Sequence, residues 1–139
     1  MEYLSTSLQE TQKIAKNILD ELLIKKRIAF CGDLGSGKTT LCRYVIQAAC
    51  NDPKMVITSP TFNFVNSYPT PFGHIYHYDL YRAKSPIEFY EIGLLDMLNT
   101  DQLCLIEWPE LLEIYFQTCN VIRVTVSYKD KNTRIISIN

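Results

Sequence analysis

Arg27-Ile28-Ala29-Phe30-Cys31-Gly32-Asp33-Leu34-Gly35-Ser36-Gly37-Lys38-Thr39-Thr40 runs from an apolar strand-like segment into a glycine loop. Residues 32–39 read G-x-x-x-x-G-K-T, the spacing of a phosphate-binding P-loop. Leu41 to Ala49 continue in a helical pattern. Strand, glycine loop and helix in that order are the context this spacing needs. The loop works through its backbone: glycines let several N–H groups turn toward phosphate oxygens, and the positive end of the next helix faces the same point. Lys38 then reaches the β- and γ-phosphates, and the Thr39 hydroxyl ligates Mg2+. The expected nucleotide contacts are Asp33, Leu34, Gly35, Ser36, Gly37, Lys38, Thr39 and Thr40.

On the N-terminal side, Leu8, Thr11, Ile14, Ala15, Ile18, Leu19 and Leu22 recur at helical spacing, with Ser7 as N-cap and Glu10 placed for a capping box. On the other side, Met55-Val56-Ile57 reads as a short strand. Phe62 to Tyr68 and His74 to Tyr81 read as a hairpin turning at residues 69–73. Ser85-Pro86 is expected to open a helix that closes at Gly93, with a second short helix at 94–98. Leu103-Cys104-Leu105-Ile106 is a buried strand that ends in Glu107. A short helix follows Pro109, and strands at 120–128 and 133–138 complete the chain. These elements predict an α/β fold of P-loop NTPase type. It is a three-layer sandwich with a central mixed, mainly parallel sheet and helices on its faces. Residues 1–139 read as one domain, with strand order left open.

A P-loop site also needs an acidic group near its metal, at the end of a neighbouring apolar strand. Glu107 fits, so Thr39 and Glu107 are the expected Mg2+ ligands. Asp79 closes a strand rich in His and Tyr; it can orient an attacking water, hold the metal shell, or pair with Arg82. His77 is either a proton carrier or a structural histidine. Thr58, Ser59 and Thr61 form a polar turn between the P-loop helix and that strand. A threonine there either caps a turn or acts as a switch residue. No Asn-Lys-x-Asp segment reads guanine, and Tyr128-Lys129-Asp130-Lys131 lacks its pattern, which favours ATP over GTP.

Composition narrows the partners. The net charge is −1, from 14 basic and 15 acidic residues, so a tight grip on nucleic acid by this chain alone is not expected. Five cysteines with no C-x-x-C spacing read as small buried hydrophobes in a reducing compartment. Met1-Glu2-Tyr3-Leu4-Ser5 lacks a signal-peptide pattern, and no apolar run reaches membrane-spanning length, so a cytoplasmic location with no membrane contact is expected.

Four segments in this order resemble one family: residues 32–40, Ser59-Pro60-Thr61-Phe62, His77-Tyr78-Asp79-Leu80-Tyr81-Arg82 and Ile106-Glu107-Trp108-Pro109-Glu110. Glu88 to Gly93 match more weakly. Together they are similar to the TsaE (YjeE) family of small bacterial P-loop ATPases, along nearly the whole chain. The resemblance implies an ATP-hydrolysing accessory subunit for N6-threonylcarbamoylation of the adenosine beside the anticodon, in tRNAs reading codons that begin with A. The implied partners are TsaD, which performs the transfer, and TsaB; tRNA is met through that complex. By the same likeness Lys38 and Thr39 hold phosphate and Mg2+, Glu107 completes the metal site, and Asp79 supports hydrolysis. Thr61 becomes a switch-like catalytic residue, Trp108 lies close to the nucleotide, and Ser7 to Thr11 approach the adenine. Ser36 stands where many relatives carry Ala. The alternative is a small-molecule kinase built on the same loop, although the short span between Arg82 and Phe89 leaves little room for a lid.

Overall fold

The computed structural model describes residues 1–60 and 63–139. One seven-stranded sheet organises them. In chain order its strands are β1 (Glu2–Ser5), β2 (Arg27–Cys31), β3 (Val65–Thr70), β4 (Gly73–Asp79), β5 (Leu103–Glu107), β6 (Ile122–Asp130) and β7 (Thr133–Ile138). Their spatial order is β1-β7-β6-β2-β5-β4-β3. The four central strands, β6, β2, β5 and β4, run parallel to one another. β1, β7 and β3 add antiparallel margins. The sheet is thus mixed, with a parallel centre.

Helices cover both faces, which completes the expected three layers. α1 (Leu8–Lys25) and α2 (Lys38–Ala49) pack on one face, where Ile14, Ile18, Leu22, Leu41 and Val45 meet Ile28, Phe30, Ile75 and Leu105. On the other face lie α3 (Ile87–Glu91), α4 (Leu94–Met97) and, after a 3-10 turn at Glu110–Leu112, α5 (Glu113–Phe116). Phe89, Leu94, Leu112 and Phe116 there meet Ala29, Tyr78, Cys104 and Ile106. The alternation of strand side chains sorts the residues of β2, β4 and β5 between the two cores.

Several boundaries differ from the sequence reading. β1 is not expected from the sequence; it is four residues long, and its partner β7 lies at the far end of the chain. Met55-Val56-Ile57 forms no strand and pairs with none among the described residues. Side chains hold that segment instead: Gln47 Nε2 donates to the Met55 carbonyl at 3.0 Å, and Asn66 Nδ2 to the Thr58 carbonyl at 3.0 Å. The hairpin loop is shorter than expected, because Pro69 and Thr70 remain in β3. Ser7 caps α1 as expected, its Oγ accepting from Glu10 N–H at 3.1 Å, but Glu10 reaches back one residue further, to Thr6 N–H at 2.6 Å. α3 starts one residue late, capped at Pro86 rather than Ser85. The Glu88 carboxylate takes the Lys84 and Ser85 N–H groups, so the Ser85 side chain is not the cap.

Candidate functional site

The site lies at the carboxyl ends of β2, β5 and β4, where open α/β sheets place ligands. β2 feeds the glycine loop, and the loop feeds α2. Gly32, Gly35 and Gly37 all have positive φ, at 138°, 78° and 110°. Gly32 is required for a second reason: a Cβ there would sit 2.2 Å from the Val126 carbonyl oxygen. The loop can therefore curl only with glycine at its first position. Asp33, Leu34 and Gly35 line the accessible rim, Ser36 is buried, and Gly37 forms the N-cap of α2.

Strand register then assembles the acidic side. Asp79 lies opposite Glu107, and His77 opposite Leu105. With a side-chain period of two, His77, Asp79, Leu105 and Glu107 all point to the α1–α2 face. Glu107 is only 1% exposed and is held from both sides. Its Oε1 accepts the Thr39 hydroxyl at 2.8 Å, and its Oε2 lies 2.6 Å from His77 Nε2. His77 is fully buried, and its Nδ1 has no hydrogen-bond partner among the described residues. Thus Thr39 and Glu107, expected to share a metal, meet directly. Their hydroxyl and carboxylate oxygens are hard donors of the kind Mg2+ takes. His77 belongs to this constellation too.

Lys38 is 4% exposed, and its Nζ donates to the Gly32 carbonyl and, at 2.9 Å, to the Asp33 carbonyl. The same ammonium lies 3.9 Å from the Trp108 ring centroid, a cation–π distance. Burial lowers the Lys38 pKa from its ordinary value, while Glu107, Glu110, Asp33 and Asp79 oppose that shift. Trp108 sits just after the β5 end in a left-handed conformation, φ 57°, and packs against Tyr81 with centroids 4.8 Å apart and ring planes tilted by 44°. A cleft of about 200 Å3 is bounded by Gly35, Gly37, Lys38, Thr39, Glu107 and Trp108. Asp79, the neighbour of Glu107 across the β4–β5 pairing, is half-buried, with Oδ1 accepting Tyr81 N–H at 3.0 Å. Burial raises the Asp79 pKa, the Tyr81 bond lowers it, and Glu107 raises it further.

A second cavity, about 310 Å3, adjoins the loop on the side of α1 and the β6–β7 turn. Ser7, Thr11, Ser36, Thr40, Asn132 and Arg134 help line it. It brings the N-terminal patch and Thr40 beside the glycine loop. Thr61 lies outside the described residues. The sequence reading missed the Tyr81 contact and left His77 undecided. The signal for His77 is present in the sequence: His77 and Asp79 are two apart on one strand, as Leu105 and Glu107 are on the next.

A family model described as threonylcarbamoyl adenosine biosynthesis protein TsaE matches residues 5–136. Among curated proteins, the TsaE of Rickettsia felis is 43% identical over 130 residues, covering 94% of this chain and 74% of that protein. The TsaE of Rickettsia prowazekii is 42% identical over 133 residues, covering 96% and 90%. That of Aquifex aeolicus is 31% identical over 139 residues, covering 99% and 94%. All three carry the name tRNA threonylcarbamoyladenosine biosynthesis protein TsaE. The crystal structure of Bacillus subtilis YdiB superposes with a TM-score of 0.64 at 22% identity, covering 99% of this chain and 83% of that one, which shows a shared fold.

Proposed function

The chain belongs to the TsaE family of threonylcarbamoyl adenosine biosynthesis proteins, and we propose that within tRNA threonylcarbamoyladenosine synthesis it is the Mg2+-dependent ATPase. The observation that carries this reading is the Thr39–Glu107 bond, 2.8 Å long, beside the P-loop lysine. A generic glycine turn has no reason to deliver a hydroxyl and a buried carboxylate to one point next to a buried ammonium.

The roles follow from position. The glycine loop offers N–H groups to the phosphates. Lys38 exchanges its carbonyl partners on Gly32 and Asp33 for phosphate oxygens. Thr39 and Glu107 would hold Mg2+, which supplies charge neutralisation at the β- and γ-phosphates when bound. His77 orients the Glu107 carboxylate from beneath. Asp79, beside Glu107 on the next strand, accepts a hydrogen bond from an attacking water and positions it. Trp108 with Tyr81 closes the cleft over Lys38, which keeps competing solvent from the phosphates. The base goes to the cavity between the α1 N-terminus and the β6–β7 turn, against Ser7, Thr11 and Thr40.

The group transfer itself takes place elsewhere in this reading. Family likeness assigns it to TsaD, with TsaB as the third member and tRNA bound through that complex. A net charge of −1 suits a subunit that meets RNA through other chains.

Calorimetric titration with Mg-ATP tests the reading. The wild type is expected to bind, and Lys38→Ala and Thr39→Ala to bind at least about tenfold more weakly, since each loses charge-assisted or metal-linked contacts of roughly 1.5–3 kcal/mol. Undiminished binding by both variants contradicts the site.

A further inference from the structure

The β6–β7 hairpin touches the glycine loop at four successive points. The Val126 carbonyl passes so close to Gly32 that no Cβ fits between them. The Val126 side chain faces Gly37, 3.9 Å from where a Cβ would stand. The Tyr128 hydroxyl donates to the Gly35 carbonyl, and Arg134 Nε donates to the Ser36 carbonyl at 3.1 Å. Tyr128 and Arg134 are direct cross-strand partners, and the guanidinium sits 4.1 Å from the Tyr128 ring centroid. Two donors on adjacent strands are thus stacked on each other and aimed at consecutive carbonyls of one loop.

We propose that Tyr128 and Arg134 are positioning residues that set the peptide planes of the P-loop for phosphate. In a trans peptide the carbonyl of one residue and the N–H of the next point to opposite sides. Holding the Gly35 carbonyl toward the hairpin turns Ser36 N–H away from it, onto the Asp33 carbonyl to which it donates at 3.1 Å. Holding the Ser36 carbonyl does the same for Gly37 N–H. A loop with glycine at 35 and 37 has little conformational preference of its own. The Ser36 side chain cannot supply the order, because its hydroxyl is buried without a partner among the described residues. Beyond the one internal bond from Ser36 N–H to the Asp33 carbonyl, the hairpin supplies it from outside, so that less ordering remains to be done at Gly37 N–H when phosphate arrives. The P-loop spacing in the sequence does not contain this control, because it comes from residues about ninety positions later.

The proposal rests on the reading of the loop as an ATP site, and the test separates the two. Mg-ATP affinity is measured by calorimetry for wild type, Tyr128→Phe, Arg134→Met and Arg134→Gln, at a temperature where thermal melts show all four folded. Tyr128→Phe keeps the ring under the guanidinium and removes only the donor. It is expected to weaken Mg-ATP binding by roughly 3- to 10-fold, the loss of one hydrogen bond. Tyr128 does not line the cavity assigned to the base, so this loss reports on the loop. Arg134→Met is expected to lose at least as much, and Arg134→Gln, which keeps an N–H donor, to recover part of it. A structural role alone lowers the melting temperature and leaves affinity unchanged. Wild-type binding with Tyr128→Phe within about twofold of it, or Arg134→Gln no better than Arg134→Met, overturns the inference while the ATP reading stands. A wild-type chain that does not bind Mg-ATP overturns both.

Discussion

His77→Phe removes one side of the support under Glu107 and keeps a ring in the same space. The Glu107 carboxylate has two described side-chain partners: Thr39 on Oε1 and His77 on Oε2, at 2.8 Å and 2.6 Å. A hydrogen bond to a charged group contributes about 1.5–3 kcal/mol, and phenylalanine cannot make it. An opposing gain exists, because the unpartnered Nδ1 disappears as well, and an unsatisfied buried polar atom costs on the order of 1 kcal/mol. The net expectation is a loss of about 0.5–2 kcal/mol. For a chain of this size that lowers the melting temperature by roughly 2–7 °C. His77→Gln restores a donor amide near the Nε2 position, so it should fall between His77→Phe and wild type. Thermal melts followed by circular dichroism, without nucleotide and at neutral pH, measure all three. A His77→Phe protein that melts with wild type, or a His77→Gln protein no more stable than His77→Phe, refutes the idea that this bond holds Glu107. The functional counterpart is a weaker response to magnesium in His77→Phe, because a carboxylate free to rotate meets the metal at an ordering cost.

Asp79→Asn should behave in the opposite sense. Burial raises the folded-state pKa of Asp79, so its favourable contribution is present at low pH and is lost as pH rises through that pKa. At neutral pH the charged side chain is therefore a cost, and Asp79→Asn should unfold at higher urea concentration than wild type near neutral pH while losing ATP turnover. The stability gap should close below about pH 4; a variant less stable than wild type near neutral pH rejects the sign. Thiol chemistry gives an independent check on the core. Cys42 and Cys104 are fully buried, and burial pushes the first thiol well up and the second to about 12. Neither should react with an aromatic disulfide reagent until the chain unfolds, and rapid labelling of either in the native state contradicts the packing around the site.

Local spacing is enough to make the P-loop unit, the Ser7 cap and the strand ending in Glu107 legible in the sequence. Each is a pattern within about ten residues. Pairings across long separations are not legible there. β1 cannot be read because four residues, of which only Ser5 is buried, are too few to carry alternation, and they become a strand only against β7. Met55–Ile57 has strand-like residues but finds side-chain donors instead of a ladder. For the site, Thr39 and Glu107 can be nominated because each sits beside a local landmark. His77 is bonded to a residue thirty positions away, and only the β4–β5 register reveals it. Tyr128 and Arg134 resemble any solvent-side hairpin pair until the turn of the sheet lays them over the loop. Trp108 is assigned near the nucleotide by likeness alone; the structure brings its ring against Lys38 and Tyr81.

What separates this account from that of a self-sufficient enzyme is the dependence of hydrolysis on other chains. Phosphate release from Mg-ATP should be followed for this chain alone, and then with purified TsaB, TsaD and tRNA. Slow release alone, a clear acceleration when the partners are added, and loss of that acceleration in Lys38→Ala are the predicted results. An equal rate with and without the partners, or transfer of the phosphate to a small-molecule acceptor in place of its release, would contradict the account.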